Sequence, residues 1–153
     1  MPRGSTSPSE QRAFPARFAS LTESAAFADA FCTRHGIDSG LALKLALVLE
    51  ELFTNTITHG FGAETDAPIR IALSASGPRS VSLVFEDSGP AFDPLAHEGH
   101  RPATPDDAFD ARPIGGLGIH LVEQLASAKR YAREGGRNRL WLTLGDAADS
   151  SQA

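Results

Sequence analysis

Glu51 and Asn55 stand four residues apart in LALKLALVLEELFTNTITHG, residues 41–60. On a helix that interval places both side chains on one face, one turn apart. A carboxamide oxygen is a hard, neutral ligand suited to Mg²⁺, which takes one or two protein ligands and fills its other positions with water and phosphate oxygens. A carboxylate one turn away could accept a proton from a hydroxyl or water attacking that phosphate. Taken alone, the pair also fits two solvated polar residues on a helix. His59, a further four residues on, fits either a favourable partner for the helix C-terminus or a group positioning the other two.

Two later segments add to the pair. EDSGPAFDP (86–94) ends a candidate strand at Asp87 and follows it with Gly89. A carboxylate there could accept the exocyclic amino hydrogen of adenine, and Gly89 would let the backbone approach a flat base. The same residues also make an ordinary turn. Phe92 fits core packing better than stacking on a base. GGLGIHLVEQL (115–125) brings Gly115, Gly116, Leu117, Gly118 and Ile119 to the start of a candidate helix, where backbone N–H groups and the helix dipole favour an anion. It is no Walker A loop, because no Gly-Lys-Ser/Thr follows, and it does not match G-x-G-x-x-G. By itself it reads equally as a hinge. The ordered combination of all three segments points to a nucleotide site.

The elements that must position these groups follow from periodicity. Residues 1–12 are rich in Ser, Pro and Gly and read as a disordered tail, and the final residues, 147–153, read likewise. FPARF (14–18) is a short candidate strand. Leu21 to His35 reads as a helix stopped by Gly36, and Ser39 to His59 as a second, with Ser39 as N-cap, Leu41, Leu45, Val48, Leu49 and Leu52 as its apolar face, and Gly60 as its stop. IRIALSA (69–75) and VSLVFED (81–87) alternate as strands around an SGPRS turn. Residues from about 94 to 114, rich in Pro and Asp, read as a lid. A third helix is predicted from about Gly118 to Ala126, and KRYAREG and NRLWLTL as two closing strands turning at Gly135-Gly136. This order predicts one α+β domain over residues 13–146: a two-layer α/β sandwich with a mixed, mostly antiparallel sheet and helices on one face.

Composition excludes several classes. The net charge of −5 and the lack of a Lys/Arg tract argue against nucleic acid and anionic membranes as partners. The single cysteine, Cys32, cannot form an internal disulfide and reads as a small buried hydrophobe in a reducing compartment. No apolar run reaches membrane-spanning length, and MPRGSTSPSEQR has no secretory apolar stretch, so the expected location is cytoplasmic.

With these residues in place, the sequence resembles the histidine-kinase-like ATPases of the Bergerat ATP-binding fold, and more closely the bacterial anti-sigma-factor serine kinases. The resemblance covers about residues 14–145 and rests on ELFTNTITHGF, EDSGPAFDP, GGLGIHLVEQL and the closing YAREGGRNRLWLTL. It implies ATP and Mg²⁺ as cofactors, with Asn55 holding Mg²⁺ and Glu51 as catalytic base. It implies Asp87 on the adenine amino group, Gly89 and Ala91 shaping the base pocket, and Gly115, Gly116, Leu117, Gly118 and Ile119 against the phosphates. It further implies transfer of the γ-phosphoryl group to a serine or threonine of an anti-anti-sigma (STAS-type) protein, sequestration of a sigma factor, and a homodimer. Ala91 departs from a second glycine found in many relatives. Ile114 stands where some carry an arginine, so Arg112 is the nearest cation for a lid contact. Other readings left open are an ATP-binding module that only sequesters a partner and a partner-switching regulator of a non-sigma output. A complete sensor kinase is not expected, because only about 20 residues precede the first helix.

Overall fold

Apolar residues at every second position of three strands, and at every third or fourth position of two helices, close on each other across a single interface. The computed structural model describes residues 9–96 and 122–146. Five strands are present: β1 (Ser9–Ala16), β2 (Thr65–Gly77), β3 (Ser80–Asp87), β4 (Ala126–Glu134) and β5 (Arg137–Gly145). They form one sheet in the order β1-β2-β3-β5-β4. All four pairings are antiparallel, so among the described residues the sheet is not mixed. The helices α1 (Ser20–Arg34) and α2 (Ser39–Asn55) supply the second layer. The α+β sandwich read from the sequence is the fold observed.

Alternation decides which strand residues face the helices. Ile69, Ile71 and Leu73 of β2, Val81, Leu83 and Phe85 of β3, and Leu140, Leu142 and Leu144 of β5 are all buried. Opposite them lie Ala28, Phe31 and Cys32 of α1 and all five predicted leucine and valine positions of α2. Burial pushes the Cys32 thiol up, consistent with a packing role. Edge-to-face contacts tie the layers together. Phe53 of α2 lies 6.1 Å from Phe14 of β1 and 5.5 Å from Phe85 of β3, between ring centroids.

Several boundaries differ from those read off the sequence. β1 starts at Ser9, not Phe14, so residues 9–12 belong to the sheet. Backbone pairing with residues 71–74 of β2 outweighs the polar composition of SEQR. The strand stops at Ala16, before Arg17 and Phe18. Pro15 is tolerated because β1 is an edge strand, although the register shifts there. α1 ends as predicted at Gly36 (φ +63), in a Schellman arrangement. Ile37 N–H bonds to Cys32 O at 2.9 Å and Gly36 N–H to Thr33 O at 3.4 Å. α2 is capped by Asp38, in extended backbone geometry and without a side-chain bond, and Ser39 is already helical. The α-helix stops at Asn55 and continues as a π-helical segment, Thr56–Phe61, which ends at Gly62 (φ +86), not at Gly60.

Of the predicted third helix only residues 122–125 are described as helical, and Ala126 already opens β4. The closing hairpin turns at Gly135-Gly136 as read. Of the predicted lid, Pro94 to Ala96 form a turn closed by Asp93, whose Oδ1 accepts the Leu95 N–H at 2.9 Å and whose carbonyl accepts the Ala96 N–H at 3.1 Å. The rest of the lid and the two predicted tails beyond residues 9–146 lie outside the described residues.

Gly145 closes the sheet at the end of β5. Its φ of +84 is open to glycine, and a Cβ there would lie 2.2 Å from the Arg79 carbonyl oxygen. Gly145→Ala is therefore expected to destabilise the fold by at least ~2 kcal/mol. A lowered denaturant midpoint at unchanged slope checks this, and an unchanged midpoint contradicts it.

Candidate functional site

The rotation of α2 is fixed by its buried residues. Leu45, Leu49, Leu52 and Phe53 are each at most 1% exposed, and that setting turns Asn55 inward and leaves Glu51 half-buried at the edge of the core. Asn55 Nδ2 donates to the Glu51 carbonyl at 2.8 Å and makes a longer contact, 3.4 Å, with Glu51 Oε2. Both partners are acceptors, so the amide must present its NH₂ to them and its oxygen away. That oxygen, Oδ1, is buried and has no hydrogen-bond partner among the described residues. An orphaned acceptor of this kind costs about 1–3 kcal/mol. A single hard oxygen, fixed in direction and otherwise unused, fits Mg²⁺ bound mainly through phosphate oxygens and water.

The change of helix type after Asn55 shapes what comes next. The segment after Asn55 is π-helical, so α-helical spacing does not carry over from Asn55 to His59. His59 is exposed, and the predicted alignment of Glu51, Asn55 and His59 holds only for the first two. Gly60 makes room for the Phe92 ring: a Cβ there would lie 3.0 Å from Phe92 Cδ2. Phe61 presses on Gly89, where a Cβ would lie 2.7 Å from Phe61 Cε1. The segment following Asn55 is thus packed against the loop following Asp87, closely enough at Gly89 that a side chain there would displace Phe61. Phe92 is half-buried and packs, as read from the sequence.

Two consecutive carboxylates end β3, and alternation separates them. Glu86 points to the outer sheet face, where Arg137 and Arg139 pair with it. Asp87 points to the helix side and is 7% exposed. Its Oδ1 accepts the Gly89 N–H at 2.8 Å and Asn138 Nδ2 at 3.0 Å. The Arg133 guanidinium reaches the same loop, donating to the Gly89 carbonyl at 2.6 Å. Ala91 is exposed on that loop. Gly115, Gly116, Leu117, Gly118, Ile119 and Arg112 lie outside the described residues. A hollow of about 430 Å³ on the outer sheet face is lined by Arg70, Val84, Glu86, Arg139 and Trp141, among others, but by none of Glu51, Asn55 or Gly89. The unused polar atoms, not the size of a hollow, mark the site.

The histidine kinase-like ATPase domain matches residues 14–144, nearly the whole described fold. The chain belongs to that family. It is 26% identical over 95 residues to a serine-protein kinase, RsbW, of Bacillus licheniformis, an alignment covering 60% of this chain and 58% of that protein. The chain thus spans less than two thirds of that relative. The fold is also that of the solved structure of the RsbU and RsbW domains of a Mycobacterium tuberculosis protein. That likeness has a TM-score of 0.61 at 16% identity and covers 90% of this chain and 32% of the other. Among the described residues no helix is long and apolar enough to cross a membrane.

Within this family domain the two carboxylates share an electrostatic character. Burial holds the Glu51 carboxyl above its ordinary value, helped by the neighbouring Glu50 charge and opposed by the bond from Asn55. Burial also raises Asp87, against the opposing bonds from Asn138 and Gly89 and the charge of Arg133. Raised carboxyl pKa values are a mark of functional sites.

Sequence reasoning missed Asn138. Its signal was available: NRLWLTL places Asn138 on the same alternating face as Leu140, Leu142 and Leu144, where an apolar residue belongs. An inward-facing amide in register with Asp87 is a polar group that needs partners.

Because Asp87 binds its proton more tightly folded than unfolded, its effect on stability is most favourable at low pH and is lost as pH rises through the raised folded value. Asp87→Asn keeps an acceptor for both N–H groups and removes the buried charge. We expect a melting temperature roughly 3 °C higher than wild type at pH 7, with the gap closing as pH falls. A lower melting temperature for the variant across that range contradicts the assignment of burial as the dominant influence.

Proposed function

We propose that this domain binds Mg²⁺-ATP and transfers its γ-phosphoryl group to a serine or threonine of a STAS-type anti-anti-sigma protein, while also holding a sigma factor as a homodimeric partner switch. The observation that carries the catalytic part is the buried Oδ1 of Asn55, without a partner among the described residues, one turn from a half-buried carboxylate of raised pKa. Membership of the histidine kinase-like ATPase family supports ATP as the nucleotide. The partner assignment draws on the likeness to a serine-protein kinase.

Asn55 would hold the metal through Oδ1 while its NH₂ stays on Glu51, so one amide would position both the ion and the base. When bound, Mg²⁺ neutralises charge on the β- and γ-phosphates. Glu51 accepts the proton of the attacking hydroxyl. Its raised pKa brings the acceptor nearer to the working pH than an ordinary glutamate. Asp87 Oδ2, which takes neither of the two bonds made to Oδ1, accepts the 6-amino hydrogen of adenine, with Gly89 leaving space for the ring. The resemblance implies that Gly115, Gly116, Leu117, Gly118 and Ile119 supply N–H groups to the phosphates. Phosphoryl transfer depends on positioning and charge neutralisation rather than covalent protein chemistry, so this set suffices.

Glu51→Gln is expected to lower transfer of labelled phosphate from ATP to a STAS-type acceptor by ~10²-fold or more while ATP still binds. Full transfer by that variant rules out Glu51 as the base. Asn55→Ala is expected to lose the gain in ATP affinity that Mg²⁺ confers, measured by titration with and without the metal. An unchanged gain removes Asn55 from the metal site. Wild-type protein that binds ATP yet labels no acceptor while still retaining a sigma factor supports sequestration without catalysis.

A further inference from the structure

Asn138 of β5 is 4% exposed, and every hydrogen-bonding position of its carboxamide is used inside the protein. Nδ2 donates to Asp87 Oδ1 at 3.0 Å and to the Pro90 carbonyl at 2.8 Å. Oδ1 accepts the Phe92 N–H at 2.9 Å and the Tyr131 hydroxyl at 2.5 Å. A carboxamide has two N–H donors and two lone pairs, so four partners saturate it. Turning the amide over would set its oxygen against two acceptors and its NH₂ against a backbone N–H. The orientation is locked, and with it the loop 87–92, which Asn138 grips at Asp87, Pro90 and Phe92.

The consequence falls on Asp87. Its Oδ1 receives two N–H donors, from Asn138 and Gly89, and so cannot carry the proton when the carboxyl is protonated. Any proton must sit on Oδ2. The Asn138 and Gly89 bonds favour the ionised form, opposing burial. In the ionised form Oδ2 is an acceptor only. An acceptor matches the amino group of a 6-aminopurine and repels the carbonyl oxygen of a 6-oxopurine. A buried site of this kind rejects the mismatched group strongly, because one of its own polar atoms is left unpaired.

We propose that Asn138 is the positioning residue that makes the Asp87 subsite select 6-aminopurine over 6-oxopurine nucleotides. The proposal rests on the reading of Asp87 as the base-binding carboxylate. Asn138 acts through Asp87 and has no free group to offer a ligand.

The test compares Mg-ATP with Mg-GTP by titration of the full chain, wild type and variants, over a pH series. Asn138→Asp keeps the acceptor for Phe92 and Tyr131 but sets an oxygen against Asp87 Oδ1, so the two carboxyls share a proton. The ATP-to-GTP affinity ratio is expected to fall at least tenfold. The pH below which ATP affinity declines is expected to rise. Tyr131→Phe removes one bond to Asn138 at the rim and is the milder probe. Its ratio is expected to fall two- to fivefold, with the fold intact by thermal melting. If Asn138→Asp does not fold, Tyr131→Phe decides. Equal weakening of both nucleotides, with ratio and pH profile unmoved, overturns the proposal and leaves Asn138 a purely structural clamp. Wild type that binds ATP and GTP equally also overturns it. Wild type that binds neither overturns the reading of the nucleotide site itself.

Discussion

The contact between Phe53 and Phe85 sets the geometry of the site. Their rings meet edge to face at 5.5 Å and 89°, with Phe53 fully buried and Phe85 nearly so. Such a pair adds about 0.5–1.5 kcal/mol beyond the area it buries. Its positional effect matters more. Asn55 follows Phe53 by two residues and Asp87 follows Phe85 by two, so one aromatic contact between the layers fixes both polar groups at the same end of the sandwich. The π-helical segment completes the arrangement. It carries the chain from Asn55 onto the Asp87 loop, with Phe61 against Gly89 and Phe92 against Gly60. A Cβ at Gly89 would force Phe61 aside, and one at Gly60 would crowd the Phe92 ring.

The site is held at some expense to stability. A carboxamide oxygen is buried without a partner among the described residues, and two carboxyls are raised by burial. Each makes the fold less stable than an apolar replacement would. The sheet offsets this: its three central strands are buried on the helix side by β-branched and leucine residues, and its outer face settles Glu86 between two arginines. The two neighbouring carboxylates therefore have opposite standing. Glu86 has its full complement of cations and is structural. Asp87 takes both of its described hydrogen bonds on Oδ1, and the proposed role in base binding falls to Oδ2.

Much of this was legible from pattern. The leucines of α2 and the alternation in β2, β3 and β5 gave the layers because a buried face leaves a period in the sequence. Glu51, Asn55, Asp87 and Gly89 could be singled out because their residue types are chemically conspicuous at element ends. Other features left no such trace. The pairing of residues 9–12 with β2 is a long-range backbone interaction that polar side chains do not announce. The π-helical segment after Asn55 is not announced by α-helical spacing, and His59 is exposed on it where Asn55 before it is buried. The glycine-rich run at 115–118 remains a sequence argument, outside the described residues.

Asn138 shows why the missed residue matters most. Read as composition, it is one asparagine in a strand. Read by alternation, it occupies a leucine position, which no polar residue holds without compensation. The four partners it finds are all on the loop that ends at Phe92 or on the adjacent strand β4, so the compensation is concentrated on one loop. A buried amide that meets its needs this locally does more than avoid a penalty. It converts a turn such as Asp-Ser-Gly-Pro, which by itself adopts many conformations, into a fixed frame. The aspartate at its head then presents one defined oxygen, and the distinction between a turn and a binding loop lies in a residue fifty positions downstream.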